Sequence, residues 1–226
     1  MHAQLRTRNH GKWNEKGFAV AGLLLGLAAC SDDKSSLQQF ETKGLVAPSG
    51  FCASDPTDFA KARKIRDIDQ GNGCFVHNAY EVLAVAGVAL NKSSVMNCNV
   101  ATGFAYWLDK AVQPAAENAF GEKVVSVVVP SSYACRPRNN IRGGKLSEHG
   151  MGNAIDVSSF VLESGRRVSV LEGWRGASDE GRFLRQVRSD ACGTFKTVLG
   201  PGSDAHHKDH LHMDLQRHRS GGTYCR

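Results

Sequence analysis

The chain has 226 residues, a length that suits one domain plus a leader. With 41% apolar and 22% charged residues it has the composition of a globular protein, which sets aside a disordered or membrane-embedded chain. Half of the formal charge of +6 lies in the first thirty residues, and no basic block interleaves with aromatics, so nucleic acid is not an expected partner.

Residues 1–29 read as a signal peptide. Arg6, Arg8, Lys12 and Lys16 precede an apolar run over 18–27, shorter than the about 20 residues of a membrane span. Leu27-Ala28-Ala29-Cys30 resembles a bacterial lipobox, which implies cleavage before Cys30 and lipidation of its thiol. Ser31 resembles the pattern of lipoproteins passed to the outer membrane. An ordinary cleaved signal with an incidental cysteine is the alternative. Residues 30–50 are polar and read as a tether. A single domain is expected over 51–226.

Setting Cys30 aside for lipid, the chain keeps Cys52, Cys74, Cys98, Cys135, Cys192 and Cys225. An even number suits an oxidising compartment and disulfides. Sequence does not choose among the pairings. The one taken forward is Cys52–Cys74, Cys98–Cys135 and Cys192–Cys225, the last pinning the tail. No C-x-x-C pair supports zinc held by thiolates.

Along the domain, 74–91 is apolar without a clear period and reads as a loop and a short strand, with His77 structural. The main helix is expected over 98–120: Phe104, Trp107, Leu108 and Ala111 repeat at helical spacing, Pro114 kinks it and Gly121 ends it. Trp107 reads as core. The β-branched run 124–129 reads as a buried strand. A returning strand is expected over 166–171, then a helix over 179–190 capped by Ser178 with Phe183, Leu184 and Val187 inward and Gly193 at its end. A strand follows over 195–199, then a turn at Gly200-Pro201-Gly202. The sum is an α+β class: a small antiparallel sheet with helices packed on one side, stapled by disulfides.

Two segments carry the chemistry. In Ser147-Glu148-His149-Gly150-Met151-Gly152-Asn153-Ala154-Ile155-Asp156, a straight strand would point His149 and Asp156 to opposite faces. Gly150 and Gly152 permit positive φ or close backbone approach, and so a turn that folds His149 back over a strand starting near Ala154. In His210-Leu211-His212-Met213-Asp214, alternation puts His210, His212 and Asp214 on one face and Leu211 and Met213 on the other. One face can pack on a core while the other aims two imidazoles and a carboxylate at a shared site. Two histidines and a carboxylate form a ligand set of catalytic zinc sites, which keep a fourth position for water.

Ser147, His149, Gly152, Ala154 and Asp156 match the S-x-H-x-x-G-x-A-x-D motif of the LAS metallopeptidases, and His210-Leu211-His212 matches their H-x-H motif. That group takes in D-Ala-D-Ala carboxypeptidases, murein endopeptidases and the hedgehog zinc domain. More closely, Tyr133–Arg138, 147–160, 198–203 and 209–215 resemble the bacterial extensin-like C-terminal domain family. The resemblance implies a LAS/hedgehog-type fold and Zn²⁺ held by His149, Asp156 and His212. It also implies His210 as general base, with Asp209 standing where other members use a glutamate. Strand alternation puts Asp209 on the far face, which favours His210. Ser147 braces the motif, and Asp214 orients an imidazole from behind. Arg136 is matched to the arginine that meets substrate and developing oxyanion, with Arg138 and Arg142 as competitors. His206 and His207 are either cleft rim or surface; His218 reads as surface. The implied activity is cleavage of peptidoglycan peptide crosslinks, as a murein endo- or carboxypeptidase in the periplasm, lipid-anchored to the outer membrane. A non-catalytic zinc-stabilised wall-binding or structural lipoprotein is the alternative. Oligomeric state is not legible.

Overall fold

The computed structural model describes Cys52 and residues 55–226. The signal peptide, the Cys30 lipidation site and the tether lie outside the described residues. Among the described residues no helix is long and apolar enough to cross a membrane.

The domain opens with β1 (Ala60–Lys64), the short pair β2 (Ile68–Asp69) and β3 (Phe75–Val76), and a hairpin of β4 (Ala79–Val85) and β5 (Val88–Asn97). A helical run follows: α1 (Cys98–Trp107), a π-helical turn over Leu108–Val112, and α2 (Gln113–Phe120). Then come β6 (Val124–Val128), β7 (Ala154–Val157), β8 (Ser159–Leu162), β9 (Arg167–Ser169), a single turn α3 (Val170–Gly173) and α4 (Asp179–Ala191). The chain ends with β10 (Thr197–Leu199), β11 (Leu211–Asp214) and β12 (Tyr224–Cys225).

The class is mixed α and β, as expected, but the single small antiparallel sheet is not what forms. The strands make a six-stranded sheet, β1-β4-β5-β6-β8-β9, a four-stranded sheet, β12-β10-β11-β7, and the β2–β3 pair. Two pairs are parallel, β5–β6 and β10–β12. The first follows from connectivity: the helical run from α1 to α2 crosses over between β5 and β6, and a crossover is what parallel neighbours require. The two larger sheets share one stretch of chain. β7 belongs to the smaller and β8 to the larger, with only Ser158 between them.

The hairpin 79–97 replaces the loop and short strand expected there. A register shift between Val82 and Ala84 breaks the period of two, and only Leu83 of β4 is exposed, so the alternation is blurred. Its turn is Ala86-Gly87, both at positive φ, and alanine is not a residue that announces such a turn. β6 buries Val124 and Val127 but leaves Val125 exposed, so this strand is half-buried rather than buried.

The helical run matches its expected span. The chain reaches Pro114 through the π-helical turn, where the Gln113 N–H reaches back to Leu108 O. Gly121 closes the run at φ 68°. Trp107 is fully buried, stacks near Phe104, meets Phe160 at a tilt, and donates its indole N–H to Val187 O at 2.8 Å. That bond ties α1 to α4, whose Phe183, Leu184 and Val187 face inward as expected, with Ser178 accepting from Gly181 N.

The disulfides are Cys52–Cys98, Cys74–Cys135 and Cys192–Cys225. Only the last was the expected pair. The other two exchange partners because α1 begins at Cys98, and Cys74 lies under the turn that carries His149: a Cβ on Gly150 would stand 3.0 Å from Cys74 Sγ.

Candidate metal centre

β7 and β11 are antiparallel neighbours with Asp156 opposite His212 and Ala154 opposite Asp214. Ile155, Val157, Leu211 and Met213 enter the core. The other face carries Asp156, His212 and Asp214, all buried. Period two does the sorting: every residue of these two strands is buried, yet apolar and ionisable side chains go to opposite sides.

His149 comes from a single helical turn, Glu148–Met151. Ser147 caps it, its Oγ accepting from His149 N at 3.4 Å. Gly152 leaves the turn at φ 57°, where an added Cβ would stand 2.6 Å from Val76 Cγ1. Gly152 therefore serves both conformation and space, whereas Gly150, without positive φ, serves space. The turn does fold His149 over β7.

Three donor atoms converge. His149 Nε2 lies 3.2 Å from Asp156 Oδ1, His212 Nδ1 lies 2.9 Å from the same oxygen, and the two ring nitrogens are 3.1 Å apart. The outer ring nitrogens are committed elsewhere. His149 Nδ1–H donates to Ser132 O, and His212 Nε2–H donates to Asp214 Oδ2 at 3.0 Å. A carbonyl and a carboxylate only accept, so each ring directs its other nitrogen's lone pair inward. Two lone pairs and a carboxylate at this spacing repel unless a cation or proton lies between them. Ligand bonds of about 2.0–2.1 Å in a tetrahedron place donors about 3.3 Å apart, close to the separations here. The residues fit a divalent metal: His149, Asp156 and His212 form a buried group that can hold one.

The metal-free electrostatics say the same. Burial opposes ionisation of Asp156, but hydrogen bonds from His149 and His212 outweigh it and hold the carboxyl far below the usual range. Burial also opposes the His212 cation, but Asp156 and Asp214 outweigh it and push its pKa up to about 9. A proton takes the place of the metal.

The trio floors a cleft of about 500 Å³. His210 stands above it with Nε2 3.9 Å from Asp156 Oδ2, outside the ligand trio, and its Nδ1 is 2.8 Å from Asp209 Oδ1. β11 starts only at Leu211, so strand alternation does not govern Asp209. Its mostly exposed carboxylate turns back to hold His210 instead of facing away. Arg136 and Arg138 both line the cleft. Arg138 is anchored, with Nε on Leu146 O at 3.3 Å and Nη2 3.5 Å from Glu148 Oε1. Arg142 is exposed and is not among the cleft residues.

Of the two readings left open for His206 and His207, cleft rim or surface, both residues line the cleft, while the burial of His207, the place of Glu148 and that of His218 were not foreseen. His207 is buried, its Nδ1 2.7 Å from Asp204 Oδ1 and its ring 5.2 Å from that of His210 and 5.6 Å from that of His212. Burial outweighs Asp204 and pulls its pKa down. Two aspartate-held imidazoles thus flank the trio. The repeated Asp–His pairing, Asp204 three before His207 and Asp209 beside His210, was the available signal. Glu148 is 7% exposed, and burial pushes its carboxyl pKa up against a hydrogen bond from Asn153. His218, expected on the surface, lines the far end of the cleft, held by Thr197 Oγ1 at 3.0 Å beside Tyr224. The disulfide to Cys225 that anchors β12 brings that end into place.

Fold and site together define a disulfide-stapled α+β domain with an open, carboxylate-braced, two-histidine metal-type centre. The chain belongs to the family described as Extensin-like protein C-terminus, which it matches over residues 51–226. Neither a curated protein nor a solved structure matches it.

Proposed function

We infer that the protein is a zinc metallopeptidase acting on the peptide crosslinks of peptidoglycan. The observation that carries this reading is the convergence of His149 Nε2, Asp156 Oδ1 and His212 Nδ1 on one point at the floor of an open cleft. With His210 outside the trio, His149, Asp156 and His212 would supply three protein ligands, the number that hydrolytic zinc sites use. Two imidazoles and one carboxylate suit zinc by donor type. When bound, such a metal supplies Lewis-acid polarisation of a carbonyl and acidification of a water.

The chain's own groups divide the remaining work. Asp209 holds His210 so that Nε2 faces the cleft, where it can take a proton from an attacking water. Having taken that proton, His210 can return it to the leaving amine, while His207, oriented by Asp204, faces the same space. Arg136 and Arg138 offer fixed donors to a carboxylate or a developing oxyanion. Arg138 is pre-positioned by Leu146 O and Glu148. Asp214 and Ser132 O fix the two ligand rings. The LAS-like motifs, the lipobox-like Leu27–Cys30 stretch and the disulfides support a lipid-anchored periplasmic setting, with the outer membrane as the anchor and peptidoglycan as the polymer in reach.

The test is digestion of purified peptidoglycan by the zinc-loaded protein against His210→Ala. Crosslink-derived fragments that vanish in the variant are expected and identify the bond. Intact sacculi with stoichiometric zinc would overturn the peptidase and leave a wall-binding protein.

A further inference from the structure

A second cavity, of about 470 Å³, lies on the other side of Glu148 from the metal cleft; that glutamate lines both. Its volume is in the range of small-ligand pockets, about 300–1,000 Å³. None of the function proposed above uses it.

One wall is aromatic. Phe75 and His77 alternate along β3 and the residue after it, with Val76 buried between them. Their rings lie 6.1 Å apart and 15° from parallel, stacked beside each other. Asp67 fixes His77, accepting from its Nδ1–H at 2.7 Å and from Asn78 N at 3.0 Å. Phe75 is nonetheless 44% exposed.

The rest of the lining includes a chain of amides ending in a carboxylate. Asn97 Nδ2 donates to Asn153 Oδ1 at 3.1 Å, and Asn153 Nδ2 donates to Glu148 Oε2 at 2.7 Å. Asn99 also lines the cavity, and its Oδ1 is buried with no hydrogen-bond partner among the described residues. No lysine or arginine is among the described lining residues. With Glu148 present, an anionic ligand is disfavoured.

An exposed aromatic ring in a cavity also lined by planar amides and a carboxylate matches a pyranose, which offers one apolar C–H face and a rim of hydroxyls and amides. We propose that this cavity is a saccharide site for a neutral N-acetylhexosamine oligomer. It stacks a sugar on Phe75 and His77 and hydrogen-bonds its rim to Asn99 and the Asn153–Glu148 pair. The site goes beyond the metal chemistry and needs no metal. Resting on the peptidase reading, one glutamate would separate a glycan strand from the peptide being cut.

The experiment is calorimetric titration of the full-length protein with chitotetraose, the β-1,4-linked N-acetylglucosamine tetramer. Saturable binding is expected, about tenfold weaker in Phe75→Ala, retained in Phe75→Trp, and unchanged in His212→Ala. His77→Ala repeats the weakening through the second ring, should Phe75→Ala fold poorly. Absence of binding, equal binding by wild type and both ring-deleted variants, or loss in His212→Ala would overturn the proposal. So would binding of a sugar-free stem peptide in place of the oligosaccharide. Because His212→Ala separates the two cavities, failure of the saccharide site and failure of the peptidase are distinguishable.

Discussion

The two larger sheets bury side chains for different ends. In the six-stranded sheet, Phe160, Leu162, Val168 and Val82 lie under α1, α2 and α4, and the opposite face is left to solvent at Leu83 and Val125. Burial there means apolar packing. In β7 and β11 of the four-stranded sheet both faces are buried, but only one is apolar. The other holds Asp156, His212 and Asp214, groups that cost free energy to bury unless they are paired. They are paired through His212, with His149 closing on Asp156, in a group that could hold a cation. Burial alone therefore does not separate core from site; the chemistry of what is buried does.

The largest expected effects fall on the polar face. Asp156→Asn removes the shared carboxylate, and metal analysis of the purified protein is expected to find no bound metal while the fold persists. Retention of stoichiometric metal would remove Asp156 from the ligand set. His210→Ala, one step above that group, is expected to keep the metal and lower turnover by about 10²–10⁴-fold. A variant with normal turnover would pass the role of base to His207. Asp214→Asn is milder, weakening metal by about 10–100-fold in a chelator competition, because it loosens only the back of His212.

The apolar face is expected to fail differently. Phe160→Ala should cost about 3–5 kcal/mol in denaturant unfolding, with metal affinity of the folded fraction unchanged. Gly152→Ala belongs to both regions. Positive φ and the approach to Val76 predict a loss of about 1–3 kcal/mol together with weaker metal binding, since His149 is carried on that turn.

A pH series sharpens the contrast without mutation. In the metal-free protein His212 gains proton affinity on folding. Its contribution is full below its ordinary value of 6.5 and is lost as pH rises toward about 9. Asp156 works in the opposite sense, contributing above its ordinary 3.8 and losing that contribution as pH falls below it. Metal binding requires His212 without its inward proton, so metal affinity should climb over the same 6.5-to-9 window. Melting temperatures with and without metal should therefore diverge as pH rises. Parallel curves would contradict the proton-for-metal exchange.

Much of the site was legible because local periodicity governs it. Alternation in Leu211–Asp214 and the glycines after His149 were enough to bring two imidazoles and a carboxylate together, and Asp214 behind His212 follows from the same period. Capping and glycine rules likewise located α4 and the end of α2. Where a contact depended on distant chain, residue order was silent. Cys52 chose Cys98 over Cys74, the 79–97 hairpin hid behind a bulge, and a single expected sheet became two sharing the stretch through Ser158. His207, Glu148 and His218 joined the cleft through long-range placement of a loop, a turn and a disulfide-held tail. Neighbours within a few residues are dictated by backbone geometry. Neighbours fifty residues apart are set by which apolar faces find one another, and no local pattern encodes that choice.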